Sequence, residues 1–267
     1  MRSILKEEIK KIKGLITINE DNVGGYMDST YLKTPEQAGI GEEETDVIIF
    51  DTIKDAIKHN IKLVMIRPEY VKAARQFIDE KGSNLLVGTV IGFPYGNNSL
   101  GEKIDEAMEA IKNGVNELDF VVDYRAFLRG NRDKVMKEVS EGTAIGIEEG
   151  KVVKWIIESA ALTEEEIADL TSLIRDIVIE TVGEQQAINV FVKTSTGFFN
   201  PEGGGPGGAT EKAVSIMSQN AGPLQVKASG GIYSRQDLDN MVGAGASRIG
   251  TSVAKEIMLG QETENDY

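Results

Sequence analysis

Eight short runs of apolar, β-branched residues recur along the chain, each separated from the next by a longer stretch of helical period. They cover 22–30, 61–68, 84–93, 116–124, 151–159, 188–196, 224–231 and 246–252. Such runs fit a pleated, half-buried surface. Between them, Ser99 with Glu102 and Thr163 with Glu166 stand at capping-box spacing, which starts a helix. Gly114 and Gly150 close helices ahead of strands. Strand and helix alternating roughly every 30 residues predict a parallel sheet. Eight units in a chain of 267 residues predict an α/β fold, a (β/α)8 TIM barrel. A doubly wound open sheet is the alternative, but no G-x-G-x-x-G follows the first strand. No linker divides the chain, so one domain is expected over 1–267. It would carry an amphipathic N-terminal helix and lead-in over 1–21 and a polar tail over 260–267.

Period two assigns faces. In the fourth strand Leu118, Phe120 and Val122 share one face, and Glu117, Asp119, Val121 and Asp123 the other. In the fifth, Val153, Trp155 and Ile157 oppose Lys154, Ile156 and Glu158. In the sixth and seventh, Lys193 and Lys227 lie opposite the apolar positions. The apolar set packs under the helices, with Trp155 in the core. Asp119, Lys154, Lys193 and Lys227 therefore point into one interior. Charges there are expensive unless paired, and they mark a site.

Composition narrows the chemistry. There are 43 Asp+Glu against 29 Lys+Arg, a formal charge of −14, which argues against nucleic acid as a partner. Without cysteine there is no thiolate nucleophile, and a single histidine, His59, cannot make a metal site of several histidines. His59 ends a helical stretch and is expected to be solvated. No apolar run reaches membrane-spanning length and no signal peptide is read, so a cytoplasmic protein is expected.

Adjacent strands lie about 5 Å apart, so Lys193 and Lys227 can crowd each other. A neighbouring like charge and burial both lower a lysine's pKa. At the reference value about one lysine in 2500 is neutral at pH 7, whereas at a pKa of about 7 half are. A neutral amine attacks carbonyls and forms a Schiff base, whose iminium accepts electrons as carbon–carbon bonds form or break. Asp119 is the nearest carboxylate to carry protons. No metal or organic cofactor is required. The alternative is a purely structural network of these lysines with Asp and Glu. Glu158 shares the face of Lys154 and is expected to pair with it. The turns after strands seven and eight, Gly230-Gly231 and Gly250-Thr251-Ser252, occupy the usual phosphate seat of such barrels.

The stretches VKTSTGF (192–198), VKASGGI (226–232), VIGFPYG (90–96), NELDFVV (116–122) and YMDSTYLK (26–33) resemble the deoxyribose-phosphate aldolases, in order from Tyr26 to Met258. That resemblance implies reversible cleavage of 2-deoxy-D-ribose 5-phosphate to acetaldehyde and D-glyceraldehyde 3-phosphate. It implies Lys193 as the Schiff-base lysine, Lys227 as the residue lowering its pKa, and Asp119 in the proton relay. Asp28 would support Lys227. Lys154, read from the strand pattern alone, either touches the reacting oxygens or completes the ion-pair network. Gly197, Gly230, Gly231, Gly250 and Ser252 would hold phosphate. It further implies small aldehyde and sugar-phosphate partners and a homodimer or larger assembly.

Some positions depart from the family pattern. Tyr233 stands where many members have Arg, and Val253 where a second Ser is common. Both remove phosphate contacts. Met65 stands where many have Cys, which predicts tolerance of acetaldehyde. The stretch 197–210, GFFNPEGGGPGGAT, is longer than usual and is either a floppy insertion or a lid. The terminal Tyr267 is a candidate phenol donor that folds back over the site.

Overall fold

The computed structural model describes residues 18, 19, 22–261 and 263. The expected N-terminal helix and Tyr267 lie outside them, and of the 1–21 segment only Ile18 and Asn19 are described. Eight strands run parallel and close on themselves in chain order: β1 (Met27–Thr30), β2 (Leu63–Ile66), β3 (Leu86–Ile91), β4 (Glu117–Val121), β5 (Val152–Ile156), β6 (Val190–Lys193), β7 (Gln225–Ser229) and β8 (Arg248–Thr251). Each leads into a helix: α1 (Glu42–Lys58), α2 (Val71–Glu80), α3 (Leu100–Lys112), α4 (Arg132–Glu148), α5 (Glu164–Gln186), α6 (Glu211–Asn220), α7 (Arg235–Gly243) and α8 (Ala254–Met258). Among the described residues no helix is long and apolar enough to cross a membrane.

The expected eight strands are all present, shorter at their ends than the apolar runs. The largest difference is at 22–30, where Val23–Tyr26 form a 3-10 turn ahead of β1. There Gly24 passes so close to Asn60 that a Cβ would stand 2.6 Å from its carbonyl oxygen. Both capping boxes form, with Ser99 and Thr163 accepting from the N–H of Glu102 and Glu166. Gly114 and Gly150 take left-handed φ of 92° and 67° just past their helices.

Period two then sorts the strand side chains. Met27, Val64, Ile66, Val87, Ile91, Leu118, Phe120, Val153, Trp155, Val190, Val192 and Val226 form the layer under the helices. On β5 this outward set is fixed by α4. A Cβ at Gly142 would stand 2.8 Å from Trp155, and one at Gly146 only 2.2 Å from Val153. The two glycines, four apart on one helix face, let α4 settle directly on the strand, although helical glycine costs about 1 kcal/mol each. Trp155 stacks on Phe120 at 4.8 Å and donates to Thr143 Oγ1. With Val153 and Trp155 held outward, Lys154 is turned into the lumen.

The lumen is divided. Leu63 and Met65 on β2, Val90 on β3 and Leu32 after β1 form a separate apolar cluster, against which Phe93 and Phe198 pack. Charged side chains from β1 and β4–β8 fill the rest.

Candidate active site

Seven ionisable side chains meet in the charged part of the lumen, all of them buried. Asp119 is the hub. Its Oδ1 accepts from Lys154, while Oδ2 stands 3.0 Å from the Lys193 nitrogen and 2.9 Å from that of Lys227. Lys154 also reaches Glu117 at 2.7 Å. Lys227 also reaches Asp28 at 2.6 Å. Arg248 closes the set from β8, 2.7 Å from Asp28 and 3.0 Å from Glu117. The register that makes this possible pairs Asp119 with Lys154 and Lys193 with Lys227. All five expected residues, Asp28, Asp119, Lys154, Lys193 and Lys227, are thus brought together.

The lysines do not share one fate. Burial, and then the Lys227 ammonium, push the Lys193 amine down to about 8, against the pull of Asp119. At that value about one amine in ten is neutral at pH 7, some two hundredfold more than for an ordinary lysine. Burial also opposes the Lys154 ammonium, but Asp119 and Glu117 outweigh it and hold the group above the usual lysine value. Burial opposes ionisation of Asp119 too, yet Lys154, Lys227 and Lys193 together keep it well below the ordinary carboxylate range. Asp28 is lowered to about 2, where Lys227 and Arg248 overcome its burial. Asp119 is therefore a carboxylate between three amines, and Lys193 is an amine brought close to losing its proton.

Sequence reasoning placed Glu117 on the inward face without a role and missed Arg248. The signal was present. In β8 a period of two puts Arg248 and Gly250 inward and Ile249 outward, and an arginine there needs carboxylates.

Glu158 corrects an expectation. It does not pair with Lys154, whose nitrogen is taken by Glu117 and Asp119. At the end of β5 its backbone turns left-handed (φ 53°, ψ 62°). Its carboxylate accepts the Thr196 hydroxyl at 2.5 Å and the Thr196 N–H at 3.3 Å. Burial pushes Glu158 up to about 7, despite those hydrogen bonds and the nearby charges of Lys193 and Arg125. His59 caps the end of α1, as expected, but is half-buried rather than solvated. Its Nε2 has no partner among the described residues.

At the mouth, the loops after β6, β7 and β8 converge on the expected phosphate residues. Gly197, Gly230 and Gly231 take left-handed φ of 84°, 84° and 73°. Among the described residues, the N–H groups of these three and of Ser252 donate to no protein acceptor. A chain of unused N–H groups beside a helix start is a setting for an anion. Gly250 is different. It lies within β8, where a Cβ would stand 3.0 Å from Ser229 and 3.1 Å from Cε of Lys227. Its lack of a side chain makes room for Lys227. Tyr233 brings no cation, and its N–H and that of Ser234 donate to Asp237 at 3.0 Å.

The long 197–210 loop is anchored at both ends. Phe198 meets Phe93 edge-on at 5.1 Å, and Phe199 meets Tyr124 at 6.4 Å. The returning strand touches backbone to backbone. A Cβ at Gly207 would stand 2.2 Å from the Phe199 oxygen, and one at Gly208 would stand 2.3 Å from Gly230. Ala209 donates to the Ser229 and Gly230 carbonyls. Glu202 to Pro206 form an exposed tip. Among the described residues no three His, Cys, Asp or Glu side chains are gathered as metal ligands.

A barrel with buried, unequal lysines around one aspartate is the arrangement of an amine-based carbon–carbon lyase. Residues 26–259 match the DeoC/LacD family aldolase, and the chain belongs to that family. A deoxyribose-phosphate aldolase of Staphylococcus saprophyticus is 39% identical over 247 residues, covering 92% of this chain and 100% of the relative. That of Staphylococcus haemolyticus is 37% identical over the same shares. Among solved structures, the tetrameric deoxyribose phosphate aldolase from Aeropyrum pernix superposes with a TM-score of 0.74 at 28% identity, covering 92% of this chain and 94% of that one. The aldolase QR15 does so with a TM-score of 0.71 at 33% identity, covering 89% and 95%.

Proposed function

We propose that the protein is a deoxyribose-phosphate aldolase, cleaving 2-deoxy-D-ribose 5-phosphate reversibly to acetaldehyde and D-glyceraldehyde 3-phosphate. The observation that carries this is the Lys193 amine, lowered to about 8 beside Lys227 and Asp119. The neutral amine adds to the C1 aldehyde, and the carbinolamine loses water to give an iminium. The C3 hydroxyl then loses its proton, and the C2–C3 electron pair moves into the iminium. Glyceraldehyde 3-phosphate leaves, carrying C3 to C5, and a two-carbon enamine remains on Lys193. Protonation at C2 and hydrolysis return acetaldehyde and the free amine. Asp119 and Lys227 move the protons through bound water, with Lys154 and Asp28 holding them in place. Gly197, Gly230, Gly231 and Ser252 hold the phosphate through their N–H groups, and Gly250 serves this seat only by admitting Lys227. No cofactor takes part.

A second reading, the same chemistry on an unphosphorylated acceptor, is favoured by Tyr233, Val253 and the capture of two N–H groups by Asp237. Comparing turnover of deoxyribose with that of its 5-phosphate separates the two. We place the protein in the cytoplasm, as a homodimer or larger assembly in line with the tetrameric neighbour, with no nucleic-acid partner at a charge of −14. The deciding experiment is borohydride reduction in the presence of acetaldehyde, followed by peptide mass spectrometry. An ethyl group on the Lys193 peptide is expected, and its absence there overturns the assignment.

A further inference from the structure

We infer that Arg248 is a positioning residue: by engaging Asp28 and Glu117 at the base of the lumen, it leaves three lysines to share Asp119 and so keeps the Lys193 amine reactive. The inference rests on the Schiff-base reading above and concerns what sets the reactivity of that amine.

The buried set contains three carboxylates, Asp28, Glu117 and Asp119, and four cations, Lys154, Lys193, Lys227 and Arg248. Fully ionised, it holds one positive charge too many in a place where water cannot screen it. One cation must be the easiest to discharge. Arginine does not lose its proton in proteins. Lys154 pairs with both Glu117 and Asp119, and Lys227 with both Asp28 and Asp119. Lys193 pairs with Asp119 alone among the described residues. The excess is therefore relieved at Lys193, and the seven-residue set becomes neutral when that amine does; Glu158, the other buried carboxylate whose charge reaches Lys193, titrates near 7 and contributes alike in wild type and in every variant below.

Arg248 creates the excess. Its guanidinium spans the lumen from β8 to β1 and β4, with Nη1 on Asp28 Oδ1 and Nη2 on Glu117 Oε1. Lys227 keeps Asp28 Oδ2, and Lys154 holds Glu117 Oε2, which Arg248 Nη1 also reaches at 3.3 Å, so each lysine draws on a carboxylate that Arg248 has already partly neutralised. Without the Arg248 charge, the two acids would serve the lysines in full, cations and carboxylates would match, and Lys193 would keep its proton. Without the Glu117 charge, the excess would double and Lys193 would lose its proton more readily. Arg248 approaches no reacting atom in this scheme, because its effect passes through Asp28 to Lys227 and through Glu117 to Lys154.

The test uses the full chain and reads the amine itself. The initial rate of borohydride trapping of acetaldehyde on Lys193 is followed against pH for wild type, Arg248→Met, Arg248→Lys, Glu117→Gln and the double variant Arg248→Met/Glu117→Gln. Removing the positive charge should raise the midpoint by about one pH unit, which cuts trapping at pH 7 about tenfold. Glu117→Gln should lower the midpoint. The double variant and Arg248→Lys should return it to near the wild-type value. Arg248→Lys and Glu117→Gln keep the test open where the methionine variant fails to fold. Folded variants with an unmoved midpoint, or single variants that both move it the same way, overturn the role of Arg248. Absence of any adduct on Lys193 in the wild type overturns instead the Schiff-base reading beneath it.

Discussion

Lys193 and Lys227 are register partners on neighbouring strands, and their nitrogens stand 3.0 and 2.9 Å from the same oxygen of Asp119. Two ammonium groups on one carboxylate oxygen, shielded from water, is a strained arrangement that the fold imposes.

That strain is measurable as stability. The unfolded chain holds the Lys193 proton up to its ordinary value near 10.5, while the folded protein releases it at about 8. The folded state therefore binds fewer protons between these values, so the stability penalty is full below about 8 and fades as pH rises to 10.5. Lys193→Met should abolish cleavage yet raise Tm at pH 7 by several degrees, with the gain shrinking from pH 8 upward. Thermal unfolding at pH 7 and pH 10 checks this.

Glu158 adds a second titration to the same pH range. As a carboxylate it accepts both the N–H and the hydroxyl of Thr196, whose Oγ1 in turn accepts the Phe198 N–H at 3.1 Å. Falling pH protonates it near 7 and loosens the turn that follows Lys193. Cleavage should then need two deprotonated groups. The logarithm of kcat/KM should rise with a slope near two below about pH 7 and near one from there to about 8. Glu158→Gln should keep a slope of one throughout.

The glycine-rich loop divides into a dispensable tip and a required stem. Removing Gly203 to Gly205 should leave KM within about twofold, since the exposed tip lacks anchoring contacts. Gly208→Val forces a side chain into the Gly230 backbone and displaces the seat. It should raise KM for the phosphorylated substrate about tenfold, with acetaldehyde trapping on Lys193 unchanged. Steady-state kinetics on both variants decides it.

Met65 is buried on the apolar side of the lumen. A thioether does not add to aldehydes as a thiolate does. The wild type should retain activity after soaking in concentrated acetaldehyde, and Met65→Cys should lose it faster. Residual turnover after equal exposure is the measure.

Much of this was legible in the chain because strands report their faces. Alternation in LDFVV and VVKWII places Asp119 and Lys154 inward, and the eight-fold recurrence predicts the barrel. Arg248 was less visible, since β8 is four residues long and Ile249 is its one large apolar residue, too little to set an apolar rhythm. Glu158 was misassigned because period two ends where the strand ends. A left-handed residue redirects the side chain, and sequence carries almost no sign of that when the residue is not glycine. The anchoring of the 197–210 loop depends on backbone passing against backbone, a contact between residues without side chains to signal it.

The division of the lumen has its own consequence. One side of the lumen is lined by the apolar and aromatic side chains of Leu32, Met65, Val90, Phe93 and Phe198, and the other carries the ammonium and carboxylate groups. A short amphiphile entering between them has a single comfortable attitude, carbon toward one side and oxygen toward the other. Selection of which face of a carbonyl meets the amine would thus precede any bond making, and would belong to the walls as a whole rather than to one residue.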